Sequence, residues 1–236
     1  PGIGKTTLID HFVARLGGDA AVGRGQCVEQ LGIDTPYLPM LEALNGLCLR
    51  DPGLPSLLRQ VAPTWLLQLP WYVPPEQREG LQREIMGATP ERMLRDMGEL
   101  LDRLSQAAPL LLVFKDLHWS DVASVRLLDH VARRRGPAQL MIIGSCRPTE
   151  LILNEHPLGD LRRELRLHRW CEEIHLDGLS DEHVLAYLKA CFPAGHFSQT
   201  FVSALHRHTE GLPLFLASVV DELAAVGTIS AGGASW

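Results

Sequence analysis

Long apolar runs are missing from this chain. None approaches the roughly 20 residues needed to cross a bilayer, so no membrane-spanning helix is expected. Positive charge is also scarce. Lys and Arg number 22 against 28 Asp and Glu, a formal net charge of −6. That balance argues against a broad nucleic-acid surface. Paired cysteines are absent too. Cys27, Cys48, Cys146, Cys171 and Cys191 are odd in number, scattered, and form no C-x-x-C unit. The pattern is that of buried free thiols in a reducing cytoplasm, not of a disulfide framework. Histidine is plentiful, but no pair stands at a zinc-like spacing with cysteine. His206 and His208, two apart on an expected helix, do not share a face.

What is present is an ordinary globular balance: 236 residues, 46% hydrophobic and 21% charged. This is enough for one large domain, or a domain with a smaller helical one. The chain opens on Pro1-Gly2-Ile3-Gly4-Lys5-Thr6-Thr7-Leu8. Laid on G-x-x-x-x-G-K-[ST], Gly4 is the second glycine, Lys5 the lysine and Thr6 the hydroxyl residue. Glycines let backbone N–H groups turn inward around phosphate oxygens. The N-terminus of the following helix adds its dipole to the same anion site. Gly2, Ile3, Gly4, Lys5, Thr6 and Thr7 are therefore the candidate phosphate-binding residues. Lys5 is expected to reach the β- and γ-phosphates, and Thr6 to ligate Mg²⁺. Leu8, Ile9, Phe12, Val13 and Leu16 give the next helix its apolar face. The strand from which such a loop hangs is not in the sequence. The expectation is a piece of a longer protein whose first strand is cut away, and weak stability for that piece alone.

Downstream, Ala21 to Val28 reads as a strand with small residues, and Asp34 to Pro39 as a loop. Met40, Leu41, Leu44 and Leu47 mark a helix. Residues 51–90 hold seven prolines, so short helices broken by turns are expected. Trp65, Leu66, Leu69, Trp71 and Tyr72 form either a local core or an exposed patch for a partner. Thr89 is an N-cap with Pro90 at the first helical position, and Met93, Met97, Leu100, Leu101 and Leu104 form a core stripe. Leu110 to Phe114 is short and wholly apolar, as suits a strand buried on both faces of a parallel sheet. A helix, a triple arginine at 133–135 read as a solvated helix end, and a strand at 139–145 follow. Glu150, Glu155 and His156 read as a solvated loop, and Glu173 to Leu176 as the last strand. Ser180 caps a new helix, after which the chain is helical. The expected divisions are a core at 1–178, a helical lid at 179–228, and a linker or tail at 229–236.

Alternating strands and helices after a phosphate loop imply an α/β fold with a parallel sheet and ligands at the carboxyl ends of its strands. Asp116 and Arg147 stand at two of those ends. An acid there holds Mg²⁺, and an arginine can stabilise charge on a transferring phosphate. These two are the candidate catalytic residues.

Several segments together carry a resemblance. Val113-Phe114-Lys115-Asp116-Leu117-His118-Trp119-Ser120-Asp121 resembles the second nucleotide motif of an AAA-type P-loop ATPase family. That family is the module of STAND-type bacterial signalling proteins, LuxR-type and related transcriptional regulators. Gly23 to Gln30 resembles its second strand, Gly144-Ser145-Cys146-Arg147-Pro148 its arginine strand, and Thr209 to Phe215 the G-x-P element of its helical lid. The resemblance covers essentially the whole chain. It implies a three-layer fold with strand order 5-1-4-3-2, with the first strand outside this sequence, and a small C-terminal helical lid. It implies binding of ATP and ADP with Mg²⁺, held at Thr6 and Asp116, with Gly211 and Pro213 on the base side. It further implies sensor and output modules elsewhere in the same protein, and leaves nucleotide-dependent self-association open.

Lys115 departs from the family pattern, which usually has an acid there. Two unit charges about 4 Å apart repel by roughly 4 kcal/mol at an effective dielectric of 20. Either Lys115 swings toward solvent and Asp116 alone holds the metal, or Lys115 pairs with a phosphate. The resulting expectation is a cytoplasmic, ATP-binding switch domain whose hydrolysis is slow or absent. The alternatives are a degenerate, non-hydrolysing nucleotide-binding scaffold and a small-molecule kinase. The G-x-P lid argues against the kinase.

Overall fold

The computed structural model describes residues 2–29, 35–134, 136, 138–230 and 233–234, the last three by backbone alone. Pro1, Gln30, Asp34, Arg135 and Pro137, with Gly232, Ser235 and Trp236 of the expected tail, lie outside the described residues. The chain forms two compact units. One is residues 13–172; the other joins residues 1–12 to 173–236.

The larger unit is built on a parallel sheet of three strands: β1 (Ala21–Gln26), β2 (Leu110–Lys115) and β3 (Leu140–Gly144), in that order. The central strand is the wholly apolar one. Leu110, Leu111, Leu112, Val113 and Phe114 are all buried, as a strand covered on both faces requires. β1 owes its small residues to a close neighbour. A Cβ on Gly25 would stand 1.8 Å from the Pro39 carbonyl oxygen. Helix α2 (Leu38–Arg50) can therefore lie directly on the strand.

The proline-rich stretch forms α3 (Leu54–Val61), α4 (Pro63–Leu66), a 3₁₀ turn at Pro70–Tyr72, and α5 (Pro75–Glu84). Trp65, Leu66 and Leu69 are buried there, so the aromatic cluster is mainly a local core. Trp65 donates its indole N–H to the Met93 carbonyl at 2.8 Å and meets Tyr37 edge-on. Trp71 alone of that cluster stands out, 63% exposed, and donates to Asn45. Helix α6 (Pro90–Ala107) starts at a Thr89 cap that accepts the Arg92 N–H, and buries Met97, Leu100 and Leu101. Helix α7 (Val122–Ala132) is capped by Asp121. Helices α8 (Pro148–Leu153) and α9 (Leu158–Leu167) close this unit.

The other unit begins with the loop and α1 (Lys5–Arg15) as far as Phe12. It continues with α10 (Asp181–Cys191), α11 (Gln199–Thr209) and α12 (Pro213–Ala225). Val184, Leu188, Val202, Leu205, Leu216 and Val220 form its core. Ser180 caps α10 in a reciprocal box with His183.

Four expectations need correction. Glu173 to Leu176 joins no ladder. A strand needs a neighbour's N–H and C=O groups to pair with, and without them its own are left to water. Part of the expected tail is a ladder: β4 (Ile229–Ser230) pairs antiparallel with β5 (Gly233–Ala234), and Ile229 is buried. The basic turn is paired as well as solvated. Arg133 bridges Asp129 and Glu164 at 2.6 Å each, and Arg134 pairs with Asp102. The cysteines are free, but only Cys27 and Cys48 are buried, and Cys191 is exposed. Among the described residues, no helix is long and apolar enough to cross a membrane.

Candidate functional site

The loop is shaped by backbone. Gly2 and Gly4 take φ of 80° and 89°, in the region that favours glycine. Helix α1 starts at the next residue, Lys5, and the Gly4 carbonyl accepts the Leu8 N–H at 2.9 Å. The first N–H groups of the helix thus have no carbonyl ahead of them within it, the condition for an anion site. Ile3 and Lys5 are partly exposed, and Thr6 and Thr7 exposed, so their side chains are within a ligand's reach.

The same unit carries the G-x-P element, and the two meet. The Gly2 carbonyl accepts the Leu214 N–H at 3.2 Å, and a Cβ on Gly2 would lie 3.0 Å from the Leu214 Cβ. A Cβ on Gly4 would lie 3.8 Å from the Pro213 Cγ. Gly211 has φ of 67°, just after Glu210 at 52°. Its carbonyl accepts the Leu179 N–H at 2.8 Å, and a Cβ there would stand 2.3 Å from the Leu179 carbonyl oxygen. Only glycine turns this corner, and Pro213 then opens α12 at its first position. Gly2, Ile3, Gly4, Lys5, Thr6, Thr7, Gly211 and Pro213 therefore lie in one unit, and the loop glycines touch the G-x-P element.

Asp116 and Arg147 lie in the other unit, at the ends of β2 and β3. Asp116 takes φ of 56°, a left-handed conformation that Asp tolerates better than most residues. The turn is tied to the next strand end. The Asp116 N–H donates to Ser145 Oγ at 3.1 Å, the Leu117 N–H to the Ser145 carbonyl at 2.8 Å, and the Ser145 N–H to the Phe114 carbonyl at 2.9 Å. Ser145 thus fixes where the Asp116 carboxylate starts from.

Around Arg147 a side-chain cluster forms. Its Nη1 donates to Glu150 Oε1 at 2.5 Å, and its guanidinium stands 5.3 Å from the centre of the Trp119 ring. The Arg147 hydrogen bond, chiefly, holds the Glu150 carboxyl below the usual carboxylate range. Glu150 Oε2 lies 3.3 Å from His118 Nε2, and the His118 ring packs on Trp119 with centroids 4.6 Å apart. His156 Nε2 meets the Ser120 carbonyl at 2.8 Å. Glu150 and His156 are therefore not a solvated loop, which is a further correction; Glu155 alone of that trio is exposed. Sequence reasoning missed Glu150 and Ser145 as partners. The one available signal was Glu150 falling three residues after Arg147 in the first turn of a helix begun by Pro148.

A loop with two left-handed glycines ahead of a Lys-Thr helix start, and a parallel α/β sheet with an acid after its central strand, are compatible with the P-loop class of nucleotide-binding proteins. A family model described as AAA ATPase domain matches residues 1–143, and the chain belongs to that family. The family is one of nucleotide-binding ATPase modules, which implies a nucleotide and typically Mg²⁺. Comparison with curated proteins and with solved structures gave no match.

The residues present fit such a ligand. The loop offers backbone N–H groups and Lys5 to phosphates. Among the described residues, no three of His, Cys, Asp and Glu gather as a metal cage. Mg²⁺ bound through one carboxylate, one hydroxyl, phosphates and water needs no such cage.

Proposed function

We propose that the chain is the ATP-binding switch domain of a bacterial signal-transduction or transcription-regulating ATPase, with ATP hydrolysis as its nominal reaction. The observation that carries this reading is the loop: Gly2 and Gly4 in left-handed conformations directly before Lys5 and Thr6 at the start of α1. Lys5 and the loop N–H groups bind the phosphates. Thr6 and Asp116 would hold Mg²⁺, which when bound neutralises charge on the phosphates. Arg147 meets the γ-phosphate and so distinguishes ATP from ADP. Gly211 and Pro213 face the base. The contact between Gly2 and Leu214 supports a coupling of phosphate occupancy to α12. Sensor and output modules elsewhere in the protein, a cytoplasmic setting, and nucleotide-dependent self-association complete the proposal.

Lys115 makes hydrolysis slow in this reading. It ends β2 beside Asp116, where the family pattern usually has an acid. The same residue favours a second reading, a nucleotide-binding scaffold that has lost hydrolysis and works by interaction. One experiment separates them. In the intact protein, labelled ATP is titrated with Mg²⁺ and phosphate release is followed for the native sequence, Lys115→Glu and Lys5→Ala. The expected result is binding by all but Lys5→Ala, with an affinity loss of at least about 100-fold, or about 2.7 kcal/mol, and faster hydrolysis by Lys115→Glu. Native turnover of about 1 per second or more, near ordinary enzyme rates, would remove the slow-hydrolysis claim. Binding without hydrolysis by either sequence leaves the scaffold.

A further inference from the structure

Arginine is a costly residue to aim. Its long side chain carries large rotamer entropy, and a guanidinium that must find a phosphate each time forfeits part of that on binding. Arg147 is already held on two sides. Glu150 grips Nη1 at 2.5 Å, and the Trp119 ring lies 5.3 Å from the guanidinium carbon, within cation–π range. Both holders are themselves fixed. Glu150 sits in the first turn of α8, and its second oxygen reaches His118 Nε2 at 3.3 Å. The His118 side chain is fully buried and packs at a tilt against Trp119. The Arg147 side chain, by contrast, stays 29% exposed.

We infer that Glu150 is a positioning residue for Arg147: with Trp119 as a platform and His118 as an anchor, it holds the guanidinium ready to sense a terminal phosphate. The inference rests on the reading that Arg147 meets the γ-phosphate. Single-point attachment is what permits it. Among the described residues the Glu150 bond occupies Nη1 alone, so Nε and Nη2 keep donors for a phosphate. A two-point carboxylate fork would instead have consumed the edge that binds phosphate.

The test has two readouts in the intact protein. The first is the ratio of ATP to ADP affinity with Mg²⁺, measured for native, Arg147→Ala, Glu150→Ala, Glu150→Gln and the double Ala variant. Arg147→Ala and Glu150→Ala should each lower the ratio by at least about tenfold. Glu150→Gln, which keeps an acceptor oxygen, should recover most of it, and the double variant should be no worse than Arg147→Ala. The second readout is the ¹⁵Nη1 signal of Arg147, whose slowed rotation about the Cζ–Nη1 bond should be lost in Glu150→Ala and kept in Glu150→Gln, without nucleotide. If Arg147→Ala collapses the ratio and Glu150→Ala leaves it unchanged or raises it, the positioning role is overturned and the γ-phosphate reading stands. If Arg147→Ala leaves the ratio unchanged, the γ-phosphate reading fails and takes this inference with it, even where the ¹⁵Nη1 signal shows Glu150 holding Arg147.

Discussion

The two units bury their apolar residues on different scales, and they build their functional parts differently. The sheet unit has a core running from Cys27 to Leu161, with Trp65, Met97 and Phe114 among its fully buried side chains. The helical unit, which carries the glycine loop at Gly2 and Gly4, has a far smaller core around Leu188, Val202 and Leu216. A small core leaves little to spare, because the surface buried on folding shrinks with size. Its functional part is accordingly set by backbone: left-handed glycines at Gly2, Gly4 and Gly211, and one N–H to carbonyl bond from Leu214 to Gly2. In the sheet unit the functional part is set by side chains, with Glu150, His118 and Trp119 interlocked on strand ends that the large core holds still. A loop specified by glycines fails when a Cβ is added. A cluster specified by side chains fails when one partner is removed.

The largest effect is expected in the larger core. Trp65→Ala removes a side chain with 0% exposure, its indole bond to Met93, and its edge contact with Tyr37. It should cost about 3–5 kcal/mol by denaturant unfolding, with hydrogen-exchange protection of α10, α11 and α12 unchanged. Equal loss of protection in those three helices would break the contrast between the cores.

A smaller effect, on the other side of the contrast, is expected from Gly211→Ala. The new Cβ meets the Leu179 carbonyl at 2.3 Å in a left-handed backbone. The strain should amount to about 1–3 kcal/mol, seen as a lower melting temperature together with weaker ATP binding. A native-like melt with native affinity would show that backbone shape does not govern this part.

The smallest effect concerns reactivity. Burial, with Asp121 and Asp116 nearby, pushes the Cys27 thiol up to about 12. The reactive thiolate is therefore scarce at pH 8. Iodoacetamide at that pH should label exposed Cys191 quickly and Cys27 only after unfolding. Rapid labelling of Cys27 in the folded protein would mean that the end of β1 is open.

Much of this was legible along the chain. The loop motif needs only adjacent residues. The apolar run at 110–114 suits a covered strand, and Thr89 and Ser180 are caps whose partners lie three residues on. What was not legible depends on partners far away in sequence. Glu150 reads as a loop acid until His118, 32 positions earlier, is brought against it. Arg134 reads as solvated until Asp102 meets it. Glu173 to Leu176 has strand composition, yet a strand exists only where a neighbour offers a ladder, and among the described residues none does. The sequence by itself determined most of the helices, the buried central strand, the glycine loop before Lys5, and the acid and arginine that follow two of the strands, because periodicity, caps and glycine spacing are local properties. Tertiary structure alone decided that the loop packs on the G-x-P element, that Ser145 ties down Asp116, and that Arg147 is held by Glu150 and Trp119, because those contacts form only when folding brings distant segments within hydrogen-bond reach.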